Sequence, residues 1–524
     1  MTIAQNPILK GFYPDPSICR VGEDYYLVNS TFSYVPGVPV FHSRDLANWE
    51  QIGNVLERKS QLVLDGATMS RGIYAPTIRY HKGIFYMITT NVSYGGNFYV
   101  TAEDPAGPWS DPVYLKVPEG VDAGIDPSLY FEGDKCYYVG QRQKQNARFF
   151  GDCEVWMQEL DLERGCLTGP DYILYRGAMK DACWVEGPHL YKIGEYYYVT
   201  CAEMGTSFEH SISVARSREL TGPYENYRCN PLLTHRHLGR QYPIQNIGHG
   251  DLVDTPDGEW YLVMLGTRPV NNAAELGRET FLARVEWQEG WPVVNPGEGK
   301  ILERQPVSLP EKSLMPDACP AWQSRMEMRF TAPLDKRFLF FRHPKEDTYQ
   351  IIKEKEIALK CNASRPEDVD GVLSYMGVRQ QSRSFQTEAE VFTGLKEGEQ
   401  AGLLYLYDDD NYLKFTVLRR KEGVAAIVEK RENKRNRILS ESIIGETGLP
   451  ESESGSWLRL SIKGRGQRTE FSVQGKVIVS GVPTEFLSSE RAGGFVGCTY
   501  GIYAFGDGTG YARFRNLVIE YPGL

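Results

Sequence analysis

The chain has 524 residues, with 58 Lys plus Arg against 68 Asp plus Glu, and its net charge of −10 is spread without long like-charge blocks. That balance excludes the basic footprint that nucleic acids and anionic membrane surfaces require, and it suits a neutral substrate. The length allows two large domains, and the ten cysteines, scattered singly with no C-x-x-C pair, read as reduced thiols rather than a metal or disulfide framework.

The opening MTIAQNPILKGFYPDPS lacks a basic segment followed by an apolar one, and no apolar run of about 18 residues occurs later. The expectation is an unexported, cytoplasmic protein with no membrane partner. The first 300 residues are punctuated by aromatic residues and glycines in short strand-like runs, and five segments share one layout. They are DPSICRVGEDYYLV from Asp15, APTIRYHKGIFYMI from Ala75, DPSLYFEGDKCYYV from Asp126, EGPHLYKIGEYYYV from Glu186 and HGDLVDTPDGEWYLV from His249. Each has a lead residue, a Pro or Gly, an apolar strand, a glycine-containing turn and a second strand rich in aromatics, which is a β-hairpin signature. Lead positions 15, 75, 126, 186 and 249 lie 60, 51, 60 and 63 residues apart, about the length of a four-stranded blade. The reading is an all-β chain whose residues 1–300 form a five-bladed β-propeller.

A Pro-rich stretch, 301–322, reads as an extended connector. Beyond it, 323–524 alternates in AGLLYLY, NYLKFTV, SWLRLSIKG and RTEFSVQGKVIVS, the pattern of a β-sandwich of about 200 residues. The Asp408–Asn411 cluster reads as a solvated hairpin turn in preference to a calcium loop. The domain's length and the modest connector favour docking against the propeller, where it would close one end of a site.

In a propeller the inner strands converge on one axis, so the lead residues Asp15, Ala75, Asp126, Glu186 and His249 should face a common pocket. An Asp before Pro is ordinarily a turn residue. Ala75 weakens that reading, because blade two keeps the turn without an acid. Blades three and four are neighbours, so Asp126 and Glu186 should form a close pair, with Asp15 across the axis. Like charges held close keep one carboxyl protonated. Glu186, flanked by Trp184 and Val185, is the expected general acid, Asp126 tunes and orients it, and the ionised Asp15 is the general base. A base and an acid across a channel leave room for a water, the arrangement of inverting glycoside hydrolysis.

At these residues the chain resembles glycoside hydrolase family 43, in particular its two-domain β-xylosidases, through GFYPDPSI, IYAPTIRYHKGIFYMITTN, GIDPSLYFEG, VEGPHLYKIGEYYYV, NIGHGDLVDTPDGEWYLVMLGTRP, LGRETFLARVEW and GLLYLYDDDNYLKF. The resemblance implies a propeller followed by a sandwich, with base, modulator and acid at Asp15, Asp126 and Glu186. It implies sugar contacts from Phe32, His249 and Arg278. Tyr74 stands where the best-known xylosidase branch has tryptophan, which leaves xylose against arabinofuranose open. Phe505, in GIYAFGDGTGY, is a contact at the pocket mouth or a sandwich-core aromatic. No cofactor is required, although some members hold a calcium or other cation beside the residue matching His249. The other histidines, His210 and His235–His237 among them, read as structural or exposed. The expected function is release of terminal xylose from β-1,4-xylo-oligosaccharides. The alternatives are an α-L-arabinofuranosidase, an enzyme with both activities, or a non-catalytic sugar-binding propeller. Homo-oligomers are common for this architecture.

Overall fold

The computed structural model describes residues 2–117, 120–315, 318–421, 423–444 and 455–522. Five four-stranded antiparallel sheets follow one another along the first 294 residues, each beginning at one of the repeats. Their inner strands are Ser17–Val21, Ile73–His81, Ile125–Glu132, Glu186–Ile193 and Gln245–Asp254. Neighbouring inner strands pack against each other around the ring, and the fifth meets the first. Two-residue turns join the first two strands of blades one to four, and a five-residue loop joins those of blade five. In blade two His81 pairs with Ile84 across Lys82 and Gly83, whose φ of 50° and 88° are the two positive values a type I′ turn needs.

The ring closes without exchanging a strand between the first and last blades. Thr2–Gln5 instead pairs with Arg304–Val307, Leu9 bridges Thr280, and Arg20 of blade one holds Asp254 of blade five at 2.7 Å. The stretch expected to be an extended connector is anchored along part of its length. Apolar side chains fill the gaps between blades, as Val28, Val40, Ile78, Met87 and Val100 do between blades one and two, each worth about 1.5–3 kcal/mol when fully buried.

The second half forms two antiparallel sheets facing each other, one of eight strands and one of six. Phe12, Phe32, Tyr34 and Met69 of the propeller belong to the sandwich's own apolar core. Strand Phe340–Phe341 pairs with Tyr34–Val35, and the Cys498 N–H donates to Glu275 O at 2.9 Å. Docking is thus a shared core with strand pairing.

The Asp408–Asn411 turn is not a solvated one. Asp409 Oδ2 accepts the Met69 N–H of the propeller at 2.7 Å, Asp408 Oδ1 accepts from the Asp410 N–H and Asn411 Nδ2, and Asp410 Oδ1 accepts from Arg431. Through Asp409 the turn clasps the sandwich to the propeller.

Candidate active site

The lead residues are set apart by their backbone. Asp15, Ala75, Asp126 and His249 have φ of 52°, 29°, 53° and 48°, the left-handed region that side chains beyond Gly rarely occupy. In blade four the left-handed residue is Gly187, at 56°, and not Glu186. The registers agree. Blades two, three and four carry a bulge between Tyr74 and Thr77, Ile125 and Ser128, and Glu186 and His189. Glu186 therefore sits one position earlier than the repeat implied, in the place that Tyr74 takes in blade two. Such bulges re-aim side chains beside active sites. Gly187 has a second reason to lack a side chain, because a Cβ there would lie 2.7 Å from the His249 ring.

Asp15, 6 % exposed, has both carboxylate oxygens held. Arg278 Nη1 donates to Oδ1 at 2.7 Å and Ser30 Oγ donates to Oδ2 at 2.6 Å. Ser30 is itself fixed by accepting the Ala75 N–H at 2.7 Å. Burial pushes the Asp15 carboxyl up, but Arg278, His249 and Ser30 outweigh it and hold the group below the usual carboxylate range. This acid is an anion ready to accept a proton.

The other two carboxyl groups shift the opposite way. Glu186, partly buried at the start of its strand, is pushed well above the ordinary range, first by burial and then by the charges of Asp126 and Asp15. Asp126 is also raised, by burial foremost and by Asp15, against the opposing pull of His249, Arg278 and the Gly187 N–H. Asp126 and Glu186 titrate as a pair, and the pair retains a proton where isolated carboxylates have lost theirs.

His249 Nδ1 stands 3.9 Å from Asp15 Oδ1. Among the described residues no three His, Cys, Asp or Glu side chains converge as a metal site. Deeper in the channel the positive charge belongs to the protein. Arg79 Nη1 donates to Asp251 Oδ2 at 2.9 Å, and its Nη2 donates to His189 Nδ1 at the same distance. Ser17 Oγ and Tyr191 Oη also donate to Asp251, at 2.7 and 2.6 Å. Burial first, with Arg79 beside it, lowers the His189 imidazole to about 3, so the ring is neutral. His210 is likewise buried and lowered to about 3 by burial, with its Nδ1 on Asn246 O at 3.0 Å.

Aromatic side chains wall the pocket. Phe32 and Tyr74 meet edge to face at 5.4 Å between centroids, and Tyr74 Oη donates to Ser70 O at 2.8 Å. The third ring, Phe495, comes from the sandwich and lies 6.3 Å from Phe32 and 5.9 Å from Tyr74. Its N–H donates to Ser70 Oγ and its carbonyl accepts from Arg278 Nη2. The chain turns closely here, since a Cβ on Gly494 would come within 2.5 Å of Ser70 Oγ. Phe505 is not at the site. It ends the strand Thr499–Phe505, whose start abuts the propeller, about 20 Å further on at the usual rise per residue. There it packs on the sandwich core beside Arg365. Arg278 is within the site, but Nη1 and Nη2 bind Asp15 and Phe495, so its observed role is to hold the base and the sandwich loop. Sequence reasoning missed Ser30 and Phe495; a ring bracketed by glycines in AGGFVG was the only signal for the latter. A cavity of about 480 Å³ opens beside Arg278 and Phe495 and continues along Thr206, Ser207 and Phe208 of blade four.

A propeller whose axis carries one ionised and two proton-sharing carboxyl groups behind an aromatic wall has the machinery of a glycoside hydrolase. The family model described as Glycosyl hydrolases family 43 matches residues 4–292, and the one described as Beta xylosidase C-terminal Concanavalin A-like domain matches 329–520. The chain belongs to glycosyl hydrolases family 43. It is 48% identical to a xylosidase/arabinosidase of Butyrivibrio fibrisolvens over 99% of this chain and 100% of that one. It is 37% identical to a non-reducing end alpha-L-arabinofuranosidase of Bacteroides ovatus, over 96% of this chain and 92% of the other. The solved structure of a xylan beta-1,4-xylosidase from Bacillus halodurans superposes with a TM-score of 0.86 at 31% identity, covering 99% and 100% of the two chains.

Proposed function

We propose that this glycoside hydrolase removes terminal xylose from the non-reducing end of β-1,4-xylo-oligosaccharides by a single displacement with inversion. Asp15 draws a proton from the attacking water, Glu186 gives its proton to the departing glycosidic oxygen, and Asp126 keeps Glu186 protonated and aimed. The observation that carries this reading is the opposite shift of Asp15 and Glu186 within one channel. The chemistry draws on water and carboxyl groups alone. Phe495, Phe32 and Tyr74 close the pocket around a single terminal ring, which suits exo action. A second activity, release of terminal α-L-arabinofuranose, is favoured by Tyr74: its phenol is smaller than an indole and is tethered to Ser70 O, which widens the pocket for a five-membered ring. The names carried by the B. fibrisolvens and B. ovatus relatives support both activities.

The test compares hydrolysis of an aryl β-xyloside with that of an aryl α-L-arabinofuranoside by one preparation. The expected result is turnover of the xyloside, with measurable turnover of the arabinofuranoside at the same site, each sugar inhibiting release of the other. Turnover of the arabinofuranoside alone would overturn the xylosidase reading.

A further inference from the structure

The chain as a whole is acidic, at −10, but the fold gathers cations along one edge of the sandwich. The strands that end its two sheets, Arg435–Ile443 and Lys476–Pro483, lie side by side there, with Ser440 Oγ donating to Ile478 O at 3.2 Å. A groove of about 710 Å³ runs along them. At one end it shares Ser480 and Gly481 with a hollow around Lys463, Arg465 and Arg468. At the other it shares Lys430 and Pro483 with a hollow that reaches Arg491, and Arg491 also lines the 480 Å³ cavity beside Arg278 and Phe495. The three hollows form one track that starts beside the catalytic cleft.

Seven cations line the track against three carboxylates. Most come from two separate runs, EKRENKRNR at 429–437 and KGRGQR at 463–468, which only the fold brings together. Lys430 is paired with Glu432 at 2.7 Å. Among the described residues Arg435, Arg437, Lys463, Arg465, Arg468 and Arg491 have no carboxylate at ion-pair distance, whereas Arg420 and Arg431 on the neighbouring strands both do. Strand alternation sets Arg435 and Arg437 on one face. The Arg465–Arg468 turn is clipped to the propeller, since Gln467 Nε2 donates to Val270 O at 2.7 Å and its Oε1 accepts from Asn271 Nδ2 at 2.8 Å. Val270 and Asn271 belong to the blade-five loop that carries Arg278, so the turn holds a fixed place relative to the cleft. Gathered like charges repel one another and draw an anionic partner.

We propose that this track binds the carboxylates of uronic acid branches on xylan fragments, holding an acidic chain along the sandwich edge while its non-reducing end sits between Asp15 and Glu186. A carboxylate accepts two parallel N–H bonds from one guanidinium, and acids spaced along a glycan meet guanidiniums spaced along the groove. Continuity with the cleft favours a substrate chain over a nucleic acid or a membrane surface as the occupant. The inference rests on the xylosidase reading above.

The test uses the full-length enzyme and three xylo-oligosaccharides of one length: unbranched, carrying a glucuronosyl branch on an inner xylose, and carrying the same branch with its carboxyl reduced to the alcohol. At about 20 mM salt the acidic substrate is expected to have a KM about three- to tenfold below the other two, the worth of one or two exposed ion pairs, with kcat alike. Salt at about 0.5 M should erase the difference. Arg435→Gln with Arg437→Gln, and separately Arg465→Gln with Arg468→Gln, should bring the ratio of acidic to neutral kcat/KM toward one, while Arg435→Lys with Arg437→Lys keeps most of it. An acidic substrate no better than its carboxyl-reduced counterpart, or a preference that survives in both glutamine pairs, overturns the track. A change in sedimentation of the glutamine variants with an unchanged substrate ratio would make the edge a contact between copies and also overturn it. If the parent hydrolyses the unbranched substrate without preferring the acidic one, the track alone falls. If it hydrolyses none of the three, the xylosidase reading falls and the track with it.

Discussion

The propeller axis carries acids at two levels, Asp15, Asp126 and Glu186 at the outer one and Asp251, two residues beyond His249, at the inner one. At the outer level three carboxyl groups share one guanidinium, and that one is bound to Asp15. At the inner level Asp251 alone faces Arg79, Ser17, Tyr191 and the Ile18 N–H, and its charged and hydrogen-bonding partners outweigh burial and hold its carboxyl well below the usual carboxylate range. Successive inward residues of a strand lie two apart, so the scaffold is the same and the difference lies in the supply of donors. A fully paired acid locks the blades together. An under-paired set holds its proton on one member and its charge on another, and that imbalance is what the hydrolytic reaction uses.

The comparison can be broken at either level. Asp15→Asn removes the base and should lower turnover of every substrate by about 10³- to 10⁴-fold, with the circular-dichroism spectrum unchanged. Glu186→Gln should cost about 10³-fold on xylobiose but only about tenfold on an aryl xyloside whose leaving group needs little protonation. Equal losses would remove Glu186 from the role of acid. Asp251→Asn belongs to the inner level and should act on stability instead, because it leaves Arg79 buried without its counter-charge. The expected loss is about 3–5 kcal/mol, read as a lower urea midpoint at unchanged slope, with the pH dependence of the surviving activity unmoved. The smallest effect comes from Asp126→Asn. The rate should be bell-shaped with pH, falling on the acid side as Asp15 is protonated and on the alkaline side as Glu186 loses its proton. The negative charge of Asp126 helps to raise Glu186, so removing it lowers the Glu186 pKa and moves the alkaline limb to lower pH. A limb that stays in place would detach Asp126 from the acid.

The hairpin repeat was legible because each turn needs glycine and each second strand is aromatic, both local requirements. Ring closure was not, since pairing of Thr2–Gln5 with Arg304–Val307 joins the two ends of the propeller and depends on no recognisable motif. Asp15 and Asp126 were legible from the D-P-S repeat. Glu186 was also found, but its one-residue offset was hidden in the E-G-P segment, where Gly187 takes the left-handed position. Arg278 was legible as a site residue but not in what it does there. In the sequence it has no visible partner, whereas in the fold its guanidinium lies on an aspartate 263 residues away. Phe505 and Phe495 follow the same logic. Both are aromatics near glycines, and only the path of the sandwich strand decides which one reaches the propeller.

The division of labour between Asp15 and Glu186 across the channel is tested most directly by proton NMR of the xylose released from an aryl β-xyloside during the first minutes of reaction, before mutarotation. Inversion delivers α-xylose first, with the β-anomer growing in later. Initial appearance of β-xylose would require a covalent intermediate and two closely spaced carboxylates, and would contradict the roles assigned to both residues.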